Sequence, residues 1–305
     1  MTVDVGIVLP TLAEPDASPG DIAAAARHAE QLGFESVWVV DQLIAGTGVP
    51  LLDSLMSLAA ASAVTERVRL GLGVLILPLR PVVWVAKQVA TLQHLSGDRV
   101  LLGVGVGGDR HDRSWSAVGI PAGERGRRTD EALAVLPDLI AGRPVRVGSA
   151  DVQLNPGTSV PPIIVAGSSD AALRRAARHG DGWFPIGSHA QIAEQRRRLS
   201  VLTAERGRPT PSLTTSSIVA IHGDPRLPDR ATLIRSVVDP DGRFGIPPEY
   251  AENAVLSGDI DTVAGHLEDA AVHGSARVVV TFAAGDWFRQ AELLAEARRH
   301  AASHS

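Results

Sequence analysis

Four short stretches of this chain hold the residue types that enzymes use to contact ligands. Asp41–Gln42 sets a carboxylate beside an amide, and GVGVGGD (Gly103 to Asp109) is a glycine run closed by an aspartate. AGSS (Ala166 to Ser169) leads into a helical pattern, and LGLGVLILPLR (Leu70 to Arg80) places Gly73 inside a bulky apolar run. Each stretch admits more than one reading. The glycine run lets a strand pack closely on its neighbours, or offers a flat surface to a planar ligand. It lacks the lysine and hydroxyl residue of a phosphate loop. The N–H groups and hydroxyls of AGSS suit a phosphate at the positive end of a helix dipole, or simply cap that helix through Ser169 or Asp170. Asp170 would repel an anion if its side chain pointed inward. Gly73 marks a bulge, a close approach of backbone to ligand, or a packing glycine.

The acid–base inventory at these chain positions is Asp41, Asp109, His111, His189, His222 and Asp286. None of them clusters at metal-ligand spacing, so no metal is expected. No two carboxylates lie on adjacent strand ends, which argues against glycoside hydrolysis. The chain has 0 cysteines, which excludes disulfides, thiolate metal sites and a cysteine nucleophile. His28, His179, His266, His273, His300 and His304 fall on helices or their ends and read as solvent-facing or capping. Trp38, Trp84, Trp115, Trp183 and Trp287 read one by one as core or interface.

The elements that position these residues repeat a single unit, strand then helix. Strands are expected at Val3 to Leu9, Ser36 to Val40, Val68 to Leu75, Val100 to Val104, Ile163 to Ala166, Gly182 to Pro185, Leu213 to Ile221 and Arg277 to Phe282. A helix follows each, the first opening at Gly20–Asp21 and ending before Gly33, the second running Leu52 to Val64, the last Trp287 to His300. Short apolar strands of this kind belong to a parallel sheet covered on both faces, and eight units close a (β/α)8 barrel. An open doubly wound sheet would want a glycine fingerprint at the first turn, where the chain instead reads PTLAEPDASPGD. One domain over residues 1–305 is the expectation. Two long connections, Val106 to Glu124 and Gly223 to Gly258, follow the fourth and seventh strands on the face where barrel active sites lie. They carry Trp115, Phe244 and Tyr250 beside Arg110, Arg113 and Arg243, so an apolar substrate with an anionic group is expected.

The 305 residues carry a net charge of −5 and no basic patch, which points away from nucleic acid. The N-terminus lacks a signal pattern, and the longest uncharged apolar stretch, Leu70 to Leu79, is too short to span a bilayer. No membrane association and a cytoplasmic location are therefore expected.

The segments AEQLGFESVWVVDQ, VRLGLGVLILPLRPVVWVAKQVATLQHLSGDRVLLGVGVGG, ERGRRTDEAL and PPIIVAGSSDAALRRAARHGDGWFPIG together resemble the luciferase-like flavin-dependent oxidoreductases, and in particular their deazaflavin (coenzyme F-420) dependent branch. The resemblance implies a (β/α)8 barrel with an insertion after the seventh strand, and a cofactor of the flavin type, F-420 or alternatively FMN. It implies a non-proline cis peptide backing the ring at Gly73–Val74. It places Asp41, Gln42, Gly107 and Gly108 at the ring's polar edge, and the cofactor phosphate on Ala166, Gly167, Ser168 and Ser169 with Gly182 and Trp183 close by. Asp41, Gln42 and Asp109 are the catalytic candidates, with the acid left open among Asp41, Asp109, His111, His222 and solvent. A small organic substrate exchanging hydride with the ring is implied, and a homodimer is common in the family. Two positions depart from the branch pattern. Gln42 stands where many members have histidine, and Gly108 stands where the sugar-phosphate dehydrogenases have glutamate. Gln42 cannot trade a proton near pH 7. FMN-dependent oxygenation, a flavin-binding barrel without turnover, and an aldolase-like barrel acting on a sugar phosphate are the alternatives.

Overall fold

The computed structural model describes residues 3–14, 16–46, 48–108, 112–239, 242–244, 246, 248 and 254–303. The chain divides into two compact units: Met1–Trp38 with Ala45–Leu52 and Ser212–Ser305, and Val39–Ile44 with Asp53–Pro211.

The first unit holds β1 (Asp4–Val8), α1 (Ile22–Gln31) and β2 (Ser36–Val39, as far as Trp38) from the N-terminal part of the chain. The second holds α2 (Ser54–Ser62), β3 (Arg69–Leu72), β4 (Leu75–Ile76), α3 (Val82–Ser96), β5 (Val100–Gly105), α4 (Asp112–Ala117) and α5 (Arg125–Ile140). It continues through the hairpin β6 (Val145–Val147) and β7 (Ala150–Val152), then β8 (Ile163–Ala166), α6 (Asp170–His179), β9 (Gly182–Phe184) and α7 (His189–Ala204). The chain then completes the first unit with β10 (Ser212–Ile221), α8 (Arg230–Val238), β11 (Val255–Gly258), α9 (Ile260–Val272), β12 (Arg277–Phe282) and α10 (Trp287–Ser303).

In the first unit the strands run parallel in the order β11, β10, β12, β1, β2, with Ile7 aligned on Val280 and on Val37. In the second the order is β3, β5, β8, β9, again parallel, and β4 pairs with β5. The barrel strands in chain order are β1, β2, β3 with β4, β5, β8, β9, β10 and β12, each followed by a helix. The fold is the expected (β/α)8 barrel, and β11 with α8 forms an insertion after the seventh barrel strand.

Local chemistry explains the boundaries. Asp21, Asp53, Ser169, Asp229 and Asp259 each accept a backbone N–H two or three residues into their helices, and Ser188 with Gln191 forms a capping box at α7. Gly97, with φ at +65°, ends α3 in the left-handed conformation. The strands are apolar because both faces are covered: Val37, Trp38, Leu70, Leu72, Leu102 and Val280 are buried. At the start of β5, Arg99 donates to Ser96, Thr65, Val68 and Ser62, tying the C-terminal end of α2 to the sheet.

Several elements differ from expectation. The third strand is not continuous from Val68 to Leu75 but breaks at Gly73–Val74 into β3 and β4. α2 opens at Ser54 because Asp53 is its cap. The polar stretch Arg143 to Pro162 contains the exposed β6–β7 hairpin, and the two long connections contain α4 and, in the second, α8 and β11.

Candidate active site

The break in the third strand is held by two neighbours within the second unit. The Gly73–Val74 peptide is cis, as the resemblance implied. Gly73 N donates to Val39 O at 2.8 Å, and Ile76 N donates to Asp41 Oδ2 at 2.8 Å. Behind the bulge lie the first glycines of the GVGVGG run. A Cβ on Gly103 would stand 1.9 Å from Leu72 O, and one on Gly105 would stand 2.7 Å from Val74 Cγ2. Those two glycines therefore serve packing. Gly107 takes a φ of +74°, and a Cβ on Gly108 would meet no atom within 4 Å. The packing purpose thus accounts for the first two glycines of the run and not for Gly108.

Asp41 is buried at the end of β2 and accepts four hydrogen bonds. They come from Ser54 Oγ (2.8 Å), Ile76 N (2.8 Å) and both terminal nitrogens of Arg80 (2.7 Å each). That arrangement fills the lone-pair sites of a carboxylate and makes Asp41 the anchor of the bulge. Arg80 also lies 3.8 Å from Asp53. Gln42, next in the chain, is half-buried, and among the described residues its amide makes no hydrogen bond. Asp109 and His111 lie outside the described residues.

After β8, Gly167 adopts φ +110° and the chain turns into α6. Trp183 is fully buried and donates its indole N–H to Gly167 O at 2.9 Å. Ser168 Oγ accepts from Ile186 N at 2.8 Å and donates to Ile186 O, and Gln195 donates to Ser168 O. Ser169 Oγ accepts from Ala172 N. Both serine hydroxyls thus hold the loop itself. Among the described residues, the N–H groups of Ser168, Ser169, Asp170 and Ala171 reach no acceptor, so four successive donors sit at the positive end of a ten-residue helix. Asp170 is paired with Arg198 at 2.6 Å, which offsets the repulsion its charge would exert on an anion. Ala166 is partly exposed at the end of β8, and Gly182 lets β9 approach Ile164, whose side chain would lie 2.9 Å from a Cβ.

In the first unit the ends of the seventh and eighth barrel strands are occupied by the chain's own carboxylate. Asp224 is buried and accepts from Arg226 N (2.9 Å), Asp286 N (2.7 Å) and Gln290 Nε2 (3.2 Å). A Cβ on Gly285 would press against Asp224 Oδ2. Asp286 in turn pairs with Arg226, and His222 is exposed with Ser257 Oγ 3.3 Å from its Nε2. His266 is not merely solvent-facing, since its Nε2 lies 2.7 Å from Ser217 Oγ.

The model of the luciferase-like monooxygenases matches residues 3–303. The chain belongs to that family. A luciferase-like relative, the F-420-dependent glucose-6-phosphate dehydrogenase of Beutenbergia cavernae, is 40% identical over 180 residues, 55% of this chain and 52% of that protein. Several of the curated relatives are matched over little more than half their own length. Two solved structures share the luciferase-like barrel. An F-420-dependent secondary alcohol dehydrogenase in complex with an F-420–acetone adduct superposes with a TM-score of 0.77 at 17% identity, over 99% of both chains. The oxygenating constituent of the Pseudomonas putida 3,6-diketocamphane monooxygenase, in complex with FMN, has a TM-score of 0.74 at 16% identity, over 99% of this chain and 98% of that one. Proteins similar to this chain in sequence or fold thus include both F-420 and FMN enzymes.

Arg80 and Ser54 escaped sequence reading, although Arg80 carried a signal. It is the sole charge between Arg69 and Lys87, and a lone charge in so apolar a run needs a partner.

Proposed function

We propose that the protein is an oxidoreductase that transfers hydride between a deazaflavin, F-420, and a small organic substrate. The observation that carries this reading is the row of four N–H donors from Ser168 to Ala171 that reach no acceptor among the described residues, beside an acid paired with Arg198. Such a row suits a cofactor phosphate. The 40% identity to an F-420-dependent dehydrogenase supports F-420 over FMN.

A bound deazaflavin would supply a carbon centre that takes or gives hydride and does not readily activate oxygen. The chain's own residues orient it. Gly73 and Val74 back the ring, while Gly107 and Gly108 keep space clear for its edge. Gln42 hydrogen-bonds the ring or the substrate through an amide that has no other partner among the described residues. Trp183 steadies the Gly167 turn beside the phosphate, and Gly182 lets β9 approach Ile164. Asp41 positions the bulge through Ile76 N, and its remaining bonds go to Arg80 and Ser54. With Asp41 engaged in holding the bulge, proton transfer is left to Asp109, His111, His222 or solvent. Asp224 fills the place after the seventh and eighth strands where many barrels hold a phosphate, which weighs against an aldolase-like reading.

Loss of F-420 fluorescence on adding secondary alcohols or other hydride donors to protein and oxidised F-420 would support this function. Oxygen consumption with reduced FMN and no F-420 turnover would replace it with FMN-dependent oxygenation, which Gln42, lacking a titratable proton, also accommodates. Tight cofactor binding without turnover over a broad panel would make the protein a carrier. The substrate is taken to be small, and we propose that the protein acts as a homodimer.

A further inference from the structure

Arg243 lies in the insertion after the seventh barrel strand, between α8 and β11, and belongs wholly to the first unit. The neighbouring Phe244 packs on Ala220, Val237, Val255 and Ala283, at the ends of the seventh and eighth strands and on the insertion beside them. The Arg243 guanidinium lies 4.9 Å over the Phe244 ring. Its Nε is enclosed and has no acceptor.

Two other well-covered arginines of this chain hold carboxylates. Arg80 holds Asp41 by two hydrogen bonds, and Arg277, itself buried, holds Glu35 by two. Among the described residues no carboxylate forms an ion pair with Arg243. Burial pushes its guanidinium below the ordinary arginine value, and the opposing charge of Glu14 does not cancel that shift. A covered cation without a counter-ion is unfavourable unless a ligand supplies one. The planar fork of a guanidinium matches the two oxygens of a carboxylate or phosphate, and the ring beneath it matches an apolar body.

We infer that Arg243 receives the anionic group of the substrate, a small apolar or aromatic molecule bearing a carboxylate or a phosphate monoester. This rests on the oxidoreductase reading above for what becomes of that molecule, but the binding is testable without cofactor.

The test is thermal unfolding and calorimetric titration of the cofactor-free full chain with benzoate, phenyl phosphate and the neutral benzyl alcohol. Arg243→Met and Arg243→Lys are treated alike. In wild type, benzoate or phenyl phosphate binds more than about tenfold tighter than benzyl alcohol, the size expected when a charge-assisted bond is lost; which of the two anions leads identifies the group. Arg243→Met abolishes that preference while melting at the wild-type temperature or above it, because an unpaired cation has been removed; Arg243→Lys keeps part of the preference. Equal binding of benzoate, phenyl phosphate and benzyl alcohol would overturn the inference. So would an Arg243→Met variant that melts lower and still prefers the anion, which is the behaviour of a purely structural arginine. F-420 and FMN titrations of the same proteins separate the two claims. Weaker cofactor binding by Arg243→Met would assign the guanidinium to the cofactor and overturn the inference. Failure of wild type to bind either cofactor would defeat the oxidoreductase reading while the benzoate preference stands as measured.

Discussion

At the scale of single residues, the site depends on two kinds of contact: a saturated carboxylate and glycines that admit a bulge. Asp41→Asn leaves Arg80 without its bidentate partner and loosens Ile76 N, and should lower the unfolding free energy by about 3 kcal/mol in urea titrations. Ser54→Ala, which removes one of the four bonds, should lower it by about 1 kcal/mol. An Asp41→Asn protein that unfolds at the wild-type urea concentration would refute the clamp. Gly103→Ala sets a methyl against a backbone oxygen 1.9 Å away, and Gly108→Ala meets nothing within 4 Å. The first should cost about 3 kcal/mol or fail to fold, and the second should stay within about 0.5 kcal/mol. Equal melting temperatures for the two would contradict the division of labour within the glycine run. Asp41 was legible in the sequence as a carboxylate at a strand end. Its function was not, because the partner that saturates it lies 39 positions along the chain, and local patterns do not report such contacts.

At the scale of elements, eight strand–helix units were legible because each strand is a short apolar run and most helices open on a capping Asp or Ser. What escaped were pieces without periodicity: the exposed β6–β7 hairpin, the six-residue α4 and the four-residue β11. The bulge was signalled by Gly73 but not its register, which Asp41 sets from another strand. α6, whose first turn offers the N–H row, ends at His179. Burial chiefly, then the charges of Arg178 and Arg208, lowers the pKa of His179 from 6.5. Because the folded value lies below the unfolded one, the contribution of His179 is complete above pH 6.5 and is lost as pH falls through that value toward the folded one. Melting temperature should therefore drop on acidification from about pH 7.5 to about 5.5, and His179→Gln should flatten that drop. A profile of unchanged slope in the variant would assign the effect to other groups.

At the scale of the whole molecule, no helix among the described residues is long and apolar enough to cross a membrane. The outer face of α2 and α3 is nonetheless apolar: Met56, Trp84 and Leu95 are 62%, 64% and 61% exposed, α2 carries no charge, and the Lys87 ammonium donates to Asn155 O. The proposed homodimer would cover that face, so sedimentation should show a dimer and Trp84→Glu a monomer; a wild-type monomer at micromolar concentration would rule it out. The central claim, that the chain holds a deazaflavin by its phosphate at Gly167 to Ala171, is tested most directly by side-by-side fluorescence titration of the purified protein with oxidised F-420 and FMN. Ser168→Glu, which puts a negative charge beside the N–H row, serves as the control. Preferential binding of F-420, lost in a Ser168→Glu protein that remains folded, is the predicted result; binding of neither cofactor by folded wild-type protein, or undiminished binding by the variant, would contradict it.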